Sequence, residues 1–141
     1  IRMGDPECQV ILPRLKTDLI KIISSAVANK LKNIKIEWKK EKSMTIVLCS
    51  KGYPKNYKKN KKIDINKLKL LKDEFIYHAG TKFVNGQLLS SGGRVLNITS
   101  IGNNFLKIRN KIIKVIKKLN WKAGFYRKDI GWKVIKKNEN N

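Results

Sequence analysis

The stretch "EFIYHAGTKFVNGQLLSSGGRVLNITSIG" (74–102), followed at once by "NNFLKIRNKIIKVIKKL", limits what this chain can fold into more than any other feature. The first part alternates β-branched and aromatic residues with polar ones and is cut at Asn85-Gly86 and at Gly92-Gly93. It therefore predicts a strand, an Asn-Gly hairpin, a second strand, a Gly-Gly break and a third strand. The second part places Phe105, Ile108, Ile112, Val115, Ile116 and Leu119 on one stripe at helical spacing, with lysines opposite, and predicts one long amphipathic helix. Adjacent strands with one apolar face need a cover. The helix that follows them is the nearest candidate.

Upstream, "MTIVLC" (44–49) is a β-branched apolar run stopped by the turn "SKGYP". Residues 55–72 read as a lysine-rich connector with one short strand. Thr17 and Asp18 start a helix whose apolar positions Leu15, Leu19, Ile22, Ile23, Ala26, Val27 and Leu31 share a face. The charged stretch 32–42 ends it and marks a boundary. Residues 1–13 read as a turn and a short helix, with Asp5 as the cap, Pro6 in first position and Glu7 favouring the positive helix end. After the long helix, "GFYRKDIGW" gives a last strand or turn leading to an exposed "KKNENN" tail. The expected fold class is α+β: a leading helical piece, then three or four antiparallel strands covered by one long helix.

Length and composition bound the function. A chain of 141 residues with 41% hydrophobic content can bury a core, and no run of about twenty apolar residues offers a membrane span. Cys8 and Cys49 lack partners at metal-ligand spacing and read as small buried thiols in a reducing compartment, so the cytoplasm is expected. The net charge of +23 would attract polyanions. Yet only five of the 33 basic residues are arginine, the residue whose planar fork clamps phosphates. Lysine, isoleucine and asparagine make up 61 of the 141 residues. All three have A/T-dominated codons, so coding drift in an AT-rich genome explains the bias without a ligand. The segment "KGYPKNYKKNKK", with Tyr53 and Tyr57 among lysines, keeps a basic nucleic-acid-binding module as the alternative function.

Of four local motifs, two have two readings each. "RMGDPE" is either a capped helix start with a tight glycine turn or an anion site built from arginine, a glycine turn and a helix N-terminus. "SSGGRV" is either a bulge entering a strand or glycine amides plus the Arg94 guanidinium facing a phosphate. His78, the sole histidine, reads as a strand residue hydrogen-bonded in the interior with no proton-transfer role. Arg127 and Asp129 in "YRKDIG" read as a structural ion pair.

"RMGDPECQ" resembles the signature of the phosphoribosylamine–glycine ligase family, which reads Arg, an apolar residue, Gly-Asp-Pro-Glu, any residue, then Gln or Glu. The resemblance continues through "VILPRLKTDL", "SKGYP", "HAGTK", "GGRVLNIT" and "YRKDIG" in the family's order. It departs in the density of lysine between these blocks. It implies an ATP-dependent ligase of purine biosynthesis that joins glycine to 5-phosphoribosylamine through a glycyl phosphate. It further implies that this chain is a C-terminal fragment inactive alone: residues 1–35 would end an ATP-grasp domain and residues 36–141 would form the family's C-terminal domain, with nothing after the polar tail. Arg2 and Asp5 are then the expected catalytic residues, Arg2 offsetting charge during phosphoryl transfer and Asp5 orienting the substrate amine. Gly4, Gly92, Gly93 and Arg94 are the expected substrate-binding residues. ATP and Mg²⁺ (or Mn²⁺) would be bound mainly by upstream residues, with no metal ligand in this chain. The expected partners are glycine and 5-phosphoribosylamine, with no specific nucleic acid, no membrane and a monomeric state.

Overall fold

A computed structural model describes residues 3–139. A short helix α1 (Glu7–Ile11) runs into a 3₁₀ turn (Leu12–Arg14), followed by α2 (Leu19–Val27) and a second 3₁₀ turn (Leu31–Asn33). The strands are β1 (Lys42–Ser50), β2 (Glu74–His78), β3 (Thr81–Val84), β4 (Gln87–Ser90), β5 (Arg94–Gly102) and β6 (Gly124–Phe125). Helix α3 (Phe105–Leu119) joins β5 to β6, and α4 (Trp132–Glu139) follows.

Four strands form one antiparallel sheet in the order β2-β5-β1-β6, and β3 pairs with β4 as a separate hairpin. The α+β class and the covering helix are as expected from the alternation and the stripe. Ile46, Leu48, Leu96 and Ile98 project to one face and meet Ile108, Ile112, Val115, Ile116 and Leu119 of α3 in a single buried cluster. Asn104 caps α3 through its side chain at Lys107 N, and Asn120, left-handed at φ 49°, stops it. Asn85 and Gly86 both have positive φ, 47° and 73°, which the two-residue hairpin turn requires.

The opposite face of the sheet carries Thr45, Asn97 and Thr99 by strand alternation, and α1 lies against β1 and β5 there. Thr99 Oγ1 donates to Thr45 Oγ1 (2.8 Å), and Thr45 Oγ1 to the Ile98 carbonyl (3.2 Å), so these buried hydroxyls are satisfied.

Several local expectations need correction. Asp5 caps nothing: the residue before α1 is Pro6, with no side-chain cap bond, because the Asp5 carboxylate is engaged across the sheet as described below. Asp18 does cap α2, accepting from Lys21 N at 3.0 Å, but the helix ends at Val27, and Leu31 falls in the following 3₁₀ turn. The charged stretch after it folds back on the leader. Lys16 N donates to Glu37 O (3.0 Å) and Lys39 N to Arg14 O (2.7 Å), with Leu15 and Trp38 bridged between them. Within 55–72 no strand forms, only a bridge from Lys62 to Leu89 beside the buried Ile63. The first of the expected strands is broken at Ala79-Gly80 into β2 and β3. The polar end is helical as far as Glu139, because Trp132 and Ile135 give it enough of an apolar side to rest near α3. Cys8 and Cys49 are free and only half-buried. His78 is exposed, its Nδ1 3.0 Å from Thr81 Oγ1, because the chain turns out of the sheet immediately after it.

Candidate functional site

Three segments meet at one end of the sheet: the front turn at Gly4-Asp5, the distant bend at Ser91-Gly92-Gly93-Arg94, and the Ala79-Gly80 loop shortly before that bend. The bend and the loop approach backbone to backbone. Gly80 N donates to Arg94 O (2.8 Å), while Ser91 N and Gly92 N both donate to Gly80 O (2.7 and 3.1 Å). A Cβ on Gly80 would lie 2.5 Å from Arg94 O and 2.6 Å from Gly92 Cα, so only glycine permits this approach. Ser50 ties the bend to β1 through its N–H to Gly93 O (2.8 Å) and its Oγ to Gly92 O (2.9 Å).

Gly93 is buried beneath the Tyr53 ring, and a Cβ there would run into ring carbons Cδ2 and Cε2. Gly93→Ala is therefore expected to destabilise the chain by about 1–3 kcal/mol through overpacking, measured by urea denaturation. Adding Tyr53→Ala should recover part of the loss if the ring is the obstacle.

Arg94 starts β5 opposite Cys49, beside an irregularity in the register at Leu48/Cys49. Such bulges re-aim side chains at strand ends. The Arg94 guanidinium lies 3.4 Å from Asp5 Oδ2, with both side chains part-exposed. Asp5 Oδ1 accepts from Asn97 Nδ2 (3.0 Å) and from Gln9 Nε2 (3.2 Å). The carboxylate is thus fixed on one oxygen by two amides and faces a cation with the other. Burial pushes the Cys49 thiol above its ordinary range, against the opposing influence of Arg94, which makes it a poor nucleophile.

Of the expected site residues, Asp5, Gly92, Gly93 and Arg94 are thus at one corner. Gly4 is on the front turn, its carbonyl accepting from Cys8 N at 3.2 Å. Arg2 lies outside the described residues. Asn97 and Gln9 were not anticipated. Asn97 had a signal in the sequence, as a lone amide in the otherwise apolar and hydroxyl run "VLNITSI". Gln9 had none beyond its place in the motif.

Arg127 and Asp129 form the expected pair. Hydrogen bonding to Arg127 holds the Asp129 carboxyl below its usual range, and both groups are exposed. A cavity of about 610 Å³ lies beside the β3–β4 hairpin, lined by Lys62, Asn66, His78, Thr81, Lys82 and Gln87 among others, with neither Asp5 nor Arg94 in its lining. Lys51, Lys58 and Lys61 border a smaller depression of about 280 Å³. Among the described residues no three His, Cys, Asp or Glu side chains converge to hold a metal, and no helix is long and apolar enough to cross a membrane.

A mixed sheet-and-helix unit that displays a guanidinium and a carboxylate at one sheet end, with a helical leader on its second face, defines a small α+β domain. The phosphoribosylglycinamide synthetase C domain matches residues 43–133, and the chain belongs to that family. Among curated relatives, phosphoribosylamine–glycine ligase of Brucella melitensis is 40% identical over 99% of this chain and 33% of its own length. The enzyme of the same name from Caldanaerobacter subterraneus is 44% identical over 92% of this chain and 30% of its own. The crystal structure of phosphoribosylamine–glycine ligase from Thermotoga maritima superposes with a TM-score of 0.68 at 28% identity, covering 92% of this chain and 31% of that one. The chain thus spans about a third of the length of the ligases it matches.

Proposed function

We propose that this chain is the C-terminal part of an ATP-dependent ligase that joins glycine to 5-phosphoribosylamine through a glycyl phosphate in the cytoplasm, and that it is inactive alone. The observation that carries the proposal is the Asp5–Arg94 pair. The family's front signature and its GGR block, 89 residues apart in sequence, close on each other at one sheet end.

Residues 1–35 are assigned to the end of an ATP-grasp domain and residues 36–141 to the C-terminal domain. Helix α2 supports the division. It buries none of its residues, and Ile20 and Val27 are 74% and 80% exposed. An amphipathic helix left this bare suits a segment whose packing partner belongs to a larger body. Leader and sheet are nevertheless held together through Asp5.

The chemistry assigned to the corner is electrostatic. Arg94, part-exposed, binds the 5-phosphate of the ribosyl substrate. Asp5 orients the amine, and Gly4 lets the substrate approach the backbone. Gly92 and Gly93 shape the bend that aims Arg94, with the Gly92 N–H already committed to Gly80. Arg2 offsets the negative charge that builds up when a phosphoryl group meets the glycine carboxylate. The described residues do not fit a Mg²⁺ site, so ATP and its metal are assigned to residues outside them, and no step here runs through the metal.

The nucleic-acid alternative draws on the +23 charge, but the aromatic rings it needs are occupied. Tyr53 is packed on Gly93 and meets Tyr57 edge-on at 6.0 Å, and both are half-buried. A stacking platform needs open ring faces.

The test is glycine- and phosphoribosylamine-dependent ADP release by the intact protein and by the 141-residue chain alone. The first should be active and the second silent. In the intact protein, Arg94→Ala should raise the KM for phosphoribosylamine by about 10- to 100-fold, the worth of charged hydrogen bonds to phosphate. An unchanged KM would remove Arg94 from the phosphate site.

A further inference from the structure

Asn97 lies mid-strand in β5, flanked across the sheet by Val47 of β1 and Tyr77 of β2. It is fully buried. Val95, two residues before it on the same face of β5, is apolar and equally buried. An amide in such a place incurs desolvation unless both its ends are bonded. Only one end is: Nδ2 donates to Asp5 Oδ1, while Oδ1 has no partner among the described residues. A half-satisfied buried amide is a poor packing solution, so a need for its donor explains its presence better than stability does.

The donor acts on one group. Asn97 Nδ2 and Gln9 Nε2 both bind Asp5 Oδ1, which leaves Oδ2 turned to Arg94. Gln9 sits one helical turn from Asp5 and moves with it, whereas Asn97 belongs to the sheet that also carries Arg94, three residues before it. Asn97 therefore references the carboxylate of the leader to the frame of the C-terminal domain.

We infer that Asn97 is a positioning residue for the ligase reaction: through its amide it fixes the Asp5 carboxylate relative to Arg94, so that the substrate's amine and phosphate are held in one register. The inference rests on the role proposed for Asp5 and adds a residue that the front motif does not contain.

The experiment uses the intact ligase with four proteins: wild type, Asp5→Asn, Asn97→Leu, and the exchange Asp5→Asn/Asn97→Asp. Steady-state kinetics and Tm are measured for each. A displaced carboxylate should lower the kcat of Asn97→Leu on the order of 100-fold, the scale of a misplacement of about 1 Å, with the KM for ATP within about twofold of wild type. The exchange variant rebuilds an amide–carboxylate bond between the same two positions but puts the charge on the sheet. It should remain as inactive as Asp5→Asn, with Tm reporting that each variant is folded. If the exchange restores turnover, Asn97 is only a structural tie and the inference falls. It falls also if Asn97→Leu turns over normally while Asp5→Asn does not, and in that case the role of Asp5 stands. If Asp5→Asn is fully active, the proposed role of Asp5 fails and this inference fails with it. Absence of glycine-dependent ADP release in the wild type would instead overturn the ligase reading as a whole.

Discussion

Ile112→Ala is expected to destabilise the chain by about 2–5 kcal/mol, the range for deleting most of a fully buried aliphatic side chain. Ile112 has no exposed surface and lies midway along α3, where the helix stripe meets the sheet face carrying Ile46, Leu48, Leu96 and Ile98. Truncation removes apolar contact and leaves a cavity that a helix spanning a four-stranded sheet cannot readily collapse. Leu106, 41% exposed on the same helix, supplies the control. Its change to alanine should cost well under about 1 kcal/mol, as surface substitutions do. Urea denaturation of both variants measures the difference. Equal midpoints would mean that α3 does not depend on this face for its docking.

On the proposed function, Arg2→Ala in the intact protein should lower kcat by about 10²–10³-fold, the usual loss when one preorganised charge-stabilising group is removed from a site where negative charge develops. The physical case is the chemistry itself. In the proposed reaction, transfer of a phosphoryl group to a carboxylate would bring two anions together, and a guanidinium in the role proposed for Arg2 would relieve that repulsion more in the transition state than in the ground state. The KM for glycine should change much less than kcat. Unimpaired turnover would remove Arg2 from the mechanism. Arg2 and Arg94 then divide by kinetic signature, one acting on kcat and the other on the KM for the phosphorylated substrate.

Legibility varied along the chain for identifiable reasons. The hairpin at Asn85-Gly86 and the helix from Phe105 were readable because each is set by local physics: the φ > 0 demand of a two-residue turn and a 3.6-residue apolar period with asparagine at both ends. Helix α4 was missed because "GWKVIKKNENN" has only a thin apolar side, and its helicity depends on what it rests against. Asp5 was misread as a cap because Asp-Pro-Glu before a helical run is a common cap pattern, and the one competitor nearby in sequence, Gln9, carries no signal of that role. Its other competitors, Arg94 and Asn97, are about ninety residues away.

The sequence by itself determined the α+β class, the breaks at Asn85-Gly86 and Gly92-Gly93, the amphipathic helix and the family motif, since all of these follow from short-range periodicity, turn chemistry and contiguous residue blocks. Only the tertiary structure decided which charges meet. It brought Asp5 to Arg94 and Asn97, left His78 exposed in the lining of a cavity, and covered Gly93 with Tyr53. The reason is that strand order in the sheet, β2-β5-β1-β6, sets distances between segments that chain order does not encode, and ion pairs and amide–carboxylate bonds form only at those distances.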